Sequence, residues 1–229
     1  MDQKPNDQYN AATPDSAAVR VGLRVRHRMF DAFMRRLEPR PTDTALDIGV
    51  TSDQTYAVSN YFEALYPFKA QITAVGLGDA AFLESLYPGL TYLQANATRL
   101  PFADGSFDLV HSSAVVEHVG SFDNQREMIR ECARVARRGL CITTPNRWFP
   151  IEFHTQLPLV HWLPPPVCRA AMRRLGYGFF AEEDNLNLMS AGRLREAVAG
   201  IAGWRFEVIT AKLLGWPSNL LLFGYRDGA

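Results

Sequence analysis

The chain has 229 residues with 24 basic and 24 acidic side chains, so its formal net charge is zero. This length suits one large domain, and its 47% of apolar residues is typical of a globular protein. Neutrality argues against a dedicated nucleic-acid-binding protein, because phosphate contacts need a surplus of basic side chains. No apolar run approaches the ~20 residues that span a bilayer, and the N-terminus lacks the apolar core of a secretory signal. Three cysteines without a Cys-x-x-Cys spacing indicate a reduced, cytoplasmic protein.

The first elements are a polar tail and a long helix. Residues 1–15 are polar and contain two prolines, so we expect a mobile tail. Apolar side chains then recur at helical spacing, which predicts an N-terminal helix within residues 16–40. Many arginines occupy its other faces. They suit a solvated basic surface or, alternatively, a surface for an anionic substrate.

Strands and helices alternate through the remaining domain, residues 41–229. Predicted strands lie near 44–49, 71–77, 91–96, 107–113, 139–144, 204–212 and 218–225. Predicted helices lie near 54–66, 79–87, 123–137 and 190–201. This alternation indicates an α/β fold built from βαβ units around a mostly parallel sheet. The last two strands have no long helix between them, which indicates an antiparallel end.

Residues 145–185 interrupt this alternation with a segment rich in prolines and aromatic side chains. The prolines argue against a regular helix through it. The segment is also too long for a plain connection. We therefore predict an insertion that packs over the carboxyl edge of the sheet. Its aromatic side chains can form either a substrate wall or the core of a small cap.

Two stretches resemble a known family. "LDIG" (residues 46–49) is similar to the first motif of class I S-adenosylmethionine-dependent methyltransferases. "NATRLPFADGSFDLVHSSAVVEHV" (residues 96–119) is similar to their third and fourth motifs. The resemblance covers residues 43–146 and implies a Rossmann-like seven-stranded sheet with helices on both faces and an antiparallel last strand. It also implies S-adenosylmethionine as the cofactor.

The resemblance implies a cofactor site at the strand ends, where open parallel sheets bind ligands. The family's first turn is Asp-x-Gly-x-Gly-x-Gly, whereas here Thr51 and Asp53 replace the second and third glycines. Asp53 is a good N-cap for the following helix. The acid that usually follows the second strand is replaced by Gly78, with Asp79 beside it. The implied cofactor-binding residues are Asp47, Gly49, Thr51, Gly78, Asp79, Asn96, Ala97 and Ser113.

Acid–base candidates follow the fourth strand and continue in the insertion. They are Glu117, His118, Glu152, His154 and His161. His118 ranks first for its place after the fourth strand, and His154 ranks second. We predict no metal site, because His154 and His161 have no evident third ligand.

The favoured function is methyl transfer from S-adenosylmethionine to a small-molecule or lipid-like acceptor, through oxygen, nitrogen or carbon. The alternative is a catalytically inactive protein of this fold that acts as a binding or scaffold partner. We expect no nucleic-acid partner, and peripheral lipid contact ranks low. A nicotinamide dehydrogenase is disfavoured, because the glycine fingerprint is incomplete.

Overall fold

The computed structural model describes residues 16–56 and 59–228, so the predicted tail lies outside the described residues. The strands are β1 (Ala45–Ile48), β2 (Ile72–Gly76), β3 (Thr91–Gln94), β4 (Phe107–Ser113), β5 (Ala136–Pro145), β6 (Trp204–Leu213) and β7 (Trp216–Arg226). The helices are α1 (Ala17–Leu37), α2 (Tyr61–Leu65), α3 (Phe82–Leu86), α4 (Phe122–Val135), α5 (Pro165–Arg174) and α6 (Ala191–Val198). No helix in this part of the chain is long and apolar enough to cross a membrane.

The seven strands form one sheet in the order β3-β2-β1-β4-β5-β7-β6. Strands β1 to β5 pair in parallel, whereas β7 is antiparallel to both β5 and β6. The predicted Rossmann-like sheet with an antiparallel last strand is therefore confirmed. Strands β2 and β3 are added on one side of β1, whereas β4 and β5 are added on the other side. Such a switch point between β1 and β4 opens a ligand crevice at the carboxyl edge of the sheet.

Alternation along the strands divides the core between the two faces of the sheet. Ala45 packs with α1 and α2, whereas its neighbour Leu46 packs with α4 and α6 on the opposite face. Phe33 of α1 and Phe62 of α2 are fully buried and meet edge to face at 5.2 Å between ring centroids. Helix α1 is therefore an integral layer of the domain.

The first helix was predicted well, and the second was not. Ser16 accepts a hydrogen bond from the Val19 amide and caps α1, as its position before the apolar pattern predicts. The helix predicted at 54–66 is confined to Tyr61–Leu65, and that predicted at 79–87 to Phe82–Leu86. Asp53 caps no helix, because its carboxylate accepts from the amide and hydroxyl of Thr55 in a local turn.

The insertion is tied to the loop that follows β4. His118 bonds through Nδ1 to the carbonyl of Asn185 at 2.7 Å, and the Asn187 amide donates to the carbonyl of Glu117 at 2.8 Å. These bonds hold the segment at the carboxyl edge of the sheet. No α-helix runs through residues 146–164, as the prolines predict, and α5 begins only at Pro165. Proline is tolerated at the first positions of a helix, where the missing amide would have no helical partner.

Candidate active site

A sharp turn after β1 forms the first part of the site. The amides of Gly49 and Val50 both donate to the carbonyl of Val75, at 2.8 and 3.1 Å. Gly49 has a φ of 108°, and a Cβ added there would lie 2.1 Å from Cγ2 of Val115. A glycine is therefore required at this position both by the backbone conformation and by the packing of the β4 loop.

The same turn closes against the end of β2. A Cβ added to Gly76 would lie 2.3 Å from the carbonyl oxygen of Val50, which is closer than any side chain tolerates. Gly76 is the last residue of β2, so this turn excludes a carboxylate from the end of the strand. The turn after β1 thus bars a side chain at position 76, whereas Gly78, which replaces the family's acid, has room around it.

Thr51 is held within the turn by neighbours from its own loop. Its amide donates to Oδ1 of Asn60 at 2.9 Å, and its carbonyl accepts from Nδ2 of Asn60 at 3.0 Å. Its hydroxyl accepts from the Asp53 amide at 3.1 Å. Asn60, which sequence reasoning missed, therefore supports the turn by pairing with both backbone groups of one residue.

The predicted residues after β2 and β3 lie at the exposed end of the crevice. The Tyr92 hydroxyl donates to the carbonyl of Gly78, and Asp79 accepts from the Ala81 amide at 3.0 Å. Asn96 is exposed, and its Oδ1 accepts from both the amide and the hydroxyl of Thr98 at 2.9 Å. Asp79 and Asn96 thus keep polar atoms near this edge while each stabilises its own turn.

Ala97 and Ser113 occupy more protected positions. Ala97 is only 8% exposed and belongs to the core on the α4 face. Ser113 ends β4, and its hydroxyl oxygen accepts from Thr143 of β5 at 2.9 Å. Ser113 therefore lies at the switch side of the crevice, away from Asp79 on the outer strands.

Asp47 belongs to a buried polar network beneath the turn. Its carboxylate contacts Nδ1 of His111, whose Nε2 lies 3.2 Å from the Tyr61 hydroxyl. Phe62 stacks on the His111 ring with 4.2 Å between centroids. Fully buried Glu63 interacts with Asp47, yet neither Glu63 oxygen has a hydrogen bond of ordinary geometry within the described residues.

Burial determines the protonation of this network. Desolvation raises the pKa of Asp47 to about 7, although interaction with Glu63 opposes the rise. The pKa of Glu63 is raised well above its usual value, first by burial and then by the Asp47 charge. Burial lowers the pKa of His111 to about 3. A histidine within an apolar strand was the sequence signal for this network, but nothing in the sequence indicated its partners.

A second polar cluster follows β4 and contains both predicted catalytic histidines. Ala114 has a φ of 55°, which turns the chain into the short helical turn Val116–His118. His118 and His154 meet edge to face with 4.7 Å between ring centroids. Glu152 accepts from Nδ1 of His154 at 2.6 Å. The insertion thus brings His154 to the residues that follow β4.

The two histidines differ in their electrostatic surroundings. Burial and the neighbouring His154 lower the pKa of His118 to about 3. Burial also acts to lower the pKa of His154, but the Glu152 carboxylate outweighs it, so that the pKa is raised. His161 lies apart from this pair, with its Nε2 at 2.7 Å from the carbonyl oxygen of Phe149.

Comparisons with known proteins show which proteins the chain resembles in this region. Residues 46–142 match a methyltransferase domain family. A probable S-adenosylmethionine-dependent methyltransferase of Mycobacterium tuberculosis, Rv3030, is 40% identical over 81 residues, which cover 34% of this chain and 28% of the relative. One from Mycolicibacterium smegmatis is 35% identical over 69 residues, covering 29% of this chain and 26% of the relative. The matched region therefore spans little more than a quarter of these relatives.

Solved structures extend the likeness over almost the whole chain. The YcgJ protein of Bacillus subtilis has a TM-score of 0.59 at 15% identity, over 89% of this chain and all of that chain. The magnesium protoporphyrin IX methyltransferase of Synechocystis, solved with bound SAH, has a TM-score of 0.56 at 15% identity, over 96% and 91% of the two chains. At such identities these structures support the fold. The match over residues 46–142 and this fold support a class I S-adenosylmethionine-dependent methyltransferase domain.

Proposed function

We propose that this protein transfers the methyl group of S-adenosylmethionine to a small-molecule or lipid-like acceptor bound between the sheet edge and the insertion. The observation that carries this proposal is the Glu152–His154 pair beside Glu117 and His118 at the carboxyl end of β4. A histidine oriented by a carboxylate suits proton removal from an acceptor. It lies at the edge where this fold binds its ligands.

The chain offers groups that fit the cofactor, although they differ from the family pattern. Asp79 is exposed after β2 and can accept from ribose hydroxyls, while Gly78 leaves room for close approach. Because Oδ1 of Asn96 already accepts two hydrogen bonds, its amide nitrogen is the group that can donate to a ring nitrogen of adenine. Asp47 would act through the turn, since its carboxylate contacts His111 beneath the site.

S-adenosylmethionine supplies an electrophilic methyl carbon. The acceptor atom forms a bond to that carbon as the carbon–sulfur bond breaks, and the sulfur keeps the electron pair. The chain's part is to align acceptor and donor and to remove an acceptor proton where there is one. The aromatic pair Phe149 and Phe153, stacked at 5.1 Å between centroids, can contribute an apolar acceptor wall.

His154 is better placed than His118 to take the acceptor proton. Glu152 holds Nδ1–H of His154 and stabilises the imidazolium that proton transfer would form. His118 has no such carboxylate on Nδ1, where it meets a backbone carbonyl. The proton of the acceptor would therefore pass to Nε2 of His154, which reverses the order of the two histidines proposed from sequence.

Cofactor binding tests the first half of this proposal. Calorimetry with S-adenosylhomocysteine, the demethylated product, should show one site per chain. Asp79→Ala should weaken binding about three- to tenfold, as expected for a lost hydrogen bond to a neutral hydroxyl. The exposed Asp123 on α4 provides a control, and Asp123→Ala should bind as the parent does. No binding at millimolar ligand would instead favour the inactive scaffold.

Acceptor chemistry tests the second half. Cell extract fractions, including the lipid fraction, would be incubated with protein and S-adenosylmethionine labelled in its methyl group. Label should enter a low-molecular-weight or lipid product with the parent protein. His154→Ala should bind S-adenosylhomocysteine normally but lose most of this transfer. If His154→Ala transferred label as fast as the parent, His154 would not be the base.

A further inference from the structure

Three side chains of the cluster after β4 are arranged as ligands for one cation. One donor atom from each of Glu117, His118 and His154 lies within 4.8 Å of the other two. The first two residues occupy the short turn after β4, whereas His154 comes from the insertion. Sequence analysis predicted no metal site for want of a third ligand. The fold supplies Glu117 and His118 as the partners of His154.

Outer hydrogen bonds orient each of these side chains. Glu152 accepts from Nδ1 of His154, so the neutral ring carries its lone pair on Nε2. The bond from Nδ1 of His118 to the Asn185 carbonyl selects the same tautomer there. Metal-bound histidines typically use this pattern, with the second ring nitrogen donating to a carboxylate or a backbone carbonyl.

Glu117 has a buried carboxyl oxygen without a hydrogen-bond partner among the described residues. It is completely buried, and the Thr144 hydroxyl donates to its Oε2 at 2.8 Å. Its Oε1 has no hydrogen-bond partner within the described residues. A buried carboxylate oxygen without a partner is costly, and a bound cation is one of the few groups that can balance it.

The surrounding charges favour a cation as well. Glu117 and Glu152 are the carboxylates of the cluster, and Arg26 of α1 is the basic side chain that interacts with Glu117. Two carboxyl groups against one guanidinium suit a cation better than an anion. Two imidazole nitrogens with one carboxylate suit zinc and other first-row transition dications better than magnesium or calcium, which prefer oxygen ligands.

We propose that Glu117, His118 and His154 form a binding site for a divalent transition-metal ion, oriented by Glu152, Thr144 and the insertion. Three protein ligands leave at least one coordination position for water or another molecule, as in catalytic rather than structural zinc sites. When the ion is bound, Nε2 of His154 is a ligand and cannot also take the acceptor proton. On the proposed function, the open position then takes a donor atom of the methyl acceptor, and the charge of the cation eases the loss of that atom's proton to solvent water. The site would then select acceptors that carry a metal-binding oxygen or nitrogen beside the methylated atom.

Cobalt binding tests the site without requiring an acceptor. Full-length protein, treated with a chelator and dialysed, would be titrated with Co²⁺ by calorimetry and visible absorption. We expect one Co²⁺ per chain with absorption bands typical of nitrogen and oxygen ligation, and competition by Zn²⁺. His154→Ala and Glu117→Gln should each weaken binding at least tenfold. Glu152→Gln should weaken it about tenfold, the smaller effect expected for a group that orients a ligand.

A control variant and two further measurements accompany the cobalt titration. His27 is an exposed histidine on α1, and His27→Ala should bind Co²⁺ as the parent does. Circular dichroism would verify the fold of each variant, and S-adenosylhomocysteine binding would be measured on the same preparations. Parent protein that binds Co²⁺ no more tightly than His154→Ala overturns the metal site. Retained S-adenosylhomocysteine binding in that case would leave the proposed function standing.

Discussion

Substitution of Glu63 by glutamine should make the protein more stable above neutral pH. Glu63 is completely buried beside Asp47, and its pKa is raised well above the usual value by burial and by that neighbouring charge. A carboxyl group with a raised folded-state pKa stabilises the fold below its unfolded-state pKa, and this contribution is lost as pH rises towards the folded-state value. Glutamine keeps the shape and hydrogen-bond donor of the protonated acid but cannot ionise.

The size of the effect follows from proton counting. Because its pKa is raised in the folded state, Glu63 loses its proton at a higher pH there than in the unfolded chain. Each such proton changes the free energy of unfolding by about 1.4 kcal/mol per pH unit. Glu63→Gln should therefore gain stability relative to the parent as the pH rises above neutrality, by at most about 1.4 kcal/mol per pH unit.

Urea unfolding at several pH values measures this difference directly. Tryptophan fluorescence and far-ultraviolet circular dichroism would report the transition. Glu127 lies on the surface of α4 near Arg130, so Glu127→Gln should keep the pH dependence of the parent. Unfolding curves of the parent and Glu63→Gln that keep the same separation from pH 6 to pH 8 would refute a protonated Glu63 in the native state.

Three further outcomes follow from packing and burial. Gly76→Ala should lower the free energy of unfolding in urea by about 1–3 kcal/mol, because the new methyl group meets the Val50 carbonyl. An unchanged free energy of unfolding would show that the turn relaxes to accept the methyl group. Phe33→Ala should lower the free energy of unfolding by about 3–5 kcal/mol in the same assay, because Phe33 of α1 packs against Phe62 of α2. A decrease of less than 1 kcal/mol would contradict that role. Burial raises the pKa of the Cys132 thiol to about 12, so a thiol reagent should modify Cys132 only after urea unfolding, as peptide mass mapping would detect.

The turn after β1 restricts which residues the end of β2 can carry. The Val50 carbonyl lies where a side chain on Gly76 would begin, so this turn and an acid at the end of β2 cannot coexist. Asp79, beyond this strand end, is exposed, and we propose it as the acid that contacts the cofactor.

The sequence alone determined the features that depend on neighbouring residues. Apolar periodicity predicted α1, and the strand pattern predicted the sheet with its antiparallel end. Short-range patterns were less reliable after β1. There Asp53 binds Thr55 in a local turn, and the helix begins only at Tyr61. Side-chain hydrogen bonds compete with helix initiation at such positions, and the amino-acid composition does not show whether the turn or the helix forms.

Only the tertiary structure decided which polar side chains meet. Asp47 and His111 face each other because β1 and β4 pair in parallel in one particular register. His118 meets His154 because the insertion folds back over the carboxyl edge. Both contacts join residues far apart in the chain, so they depend on strand register and insertion packing. No local sequence pattern encodes strand register or insertion packing, and these two features decide which polar side chains meet at the site.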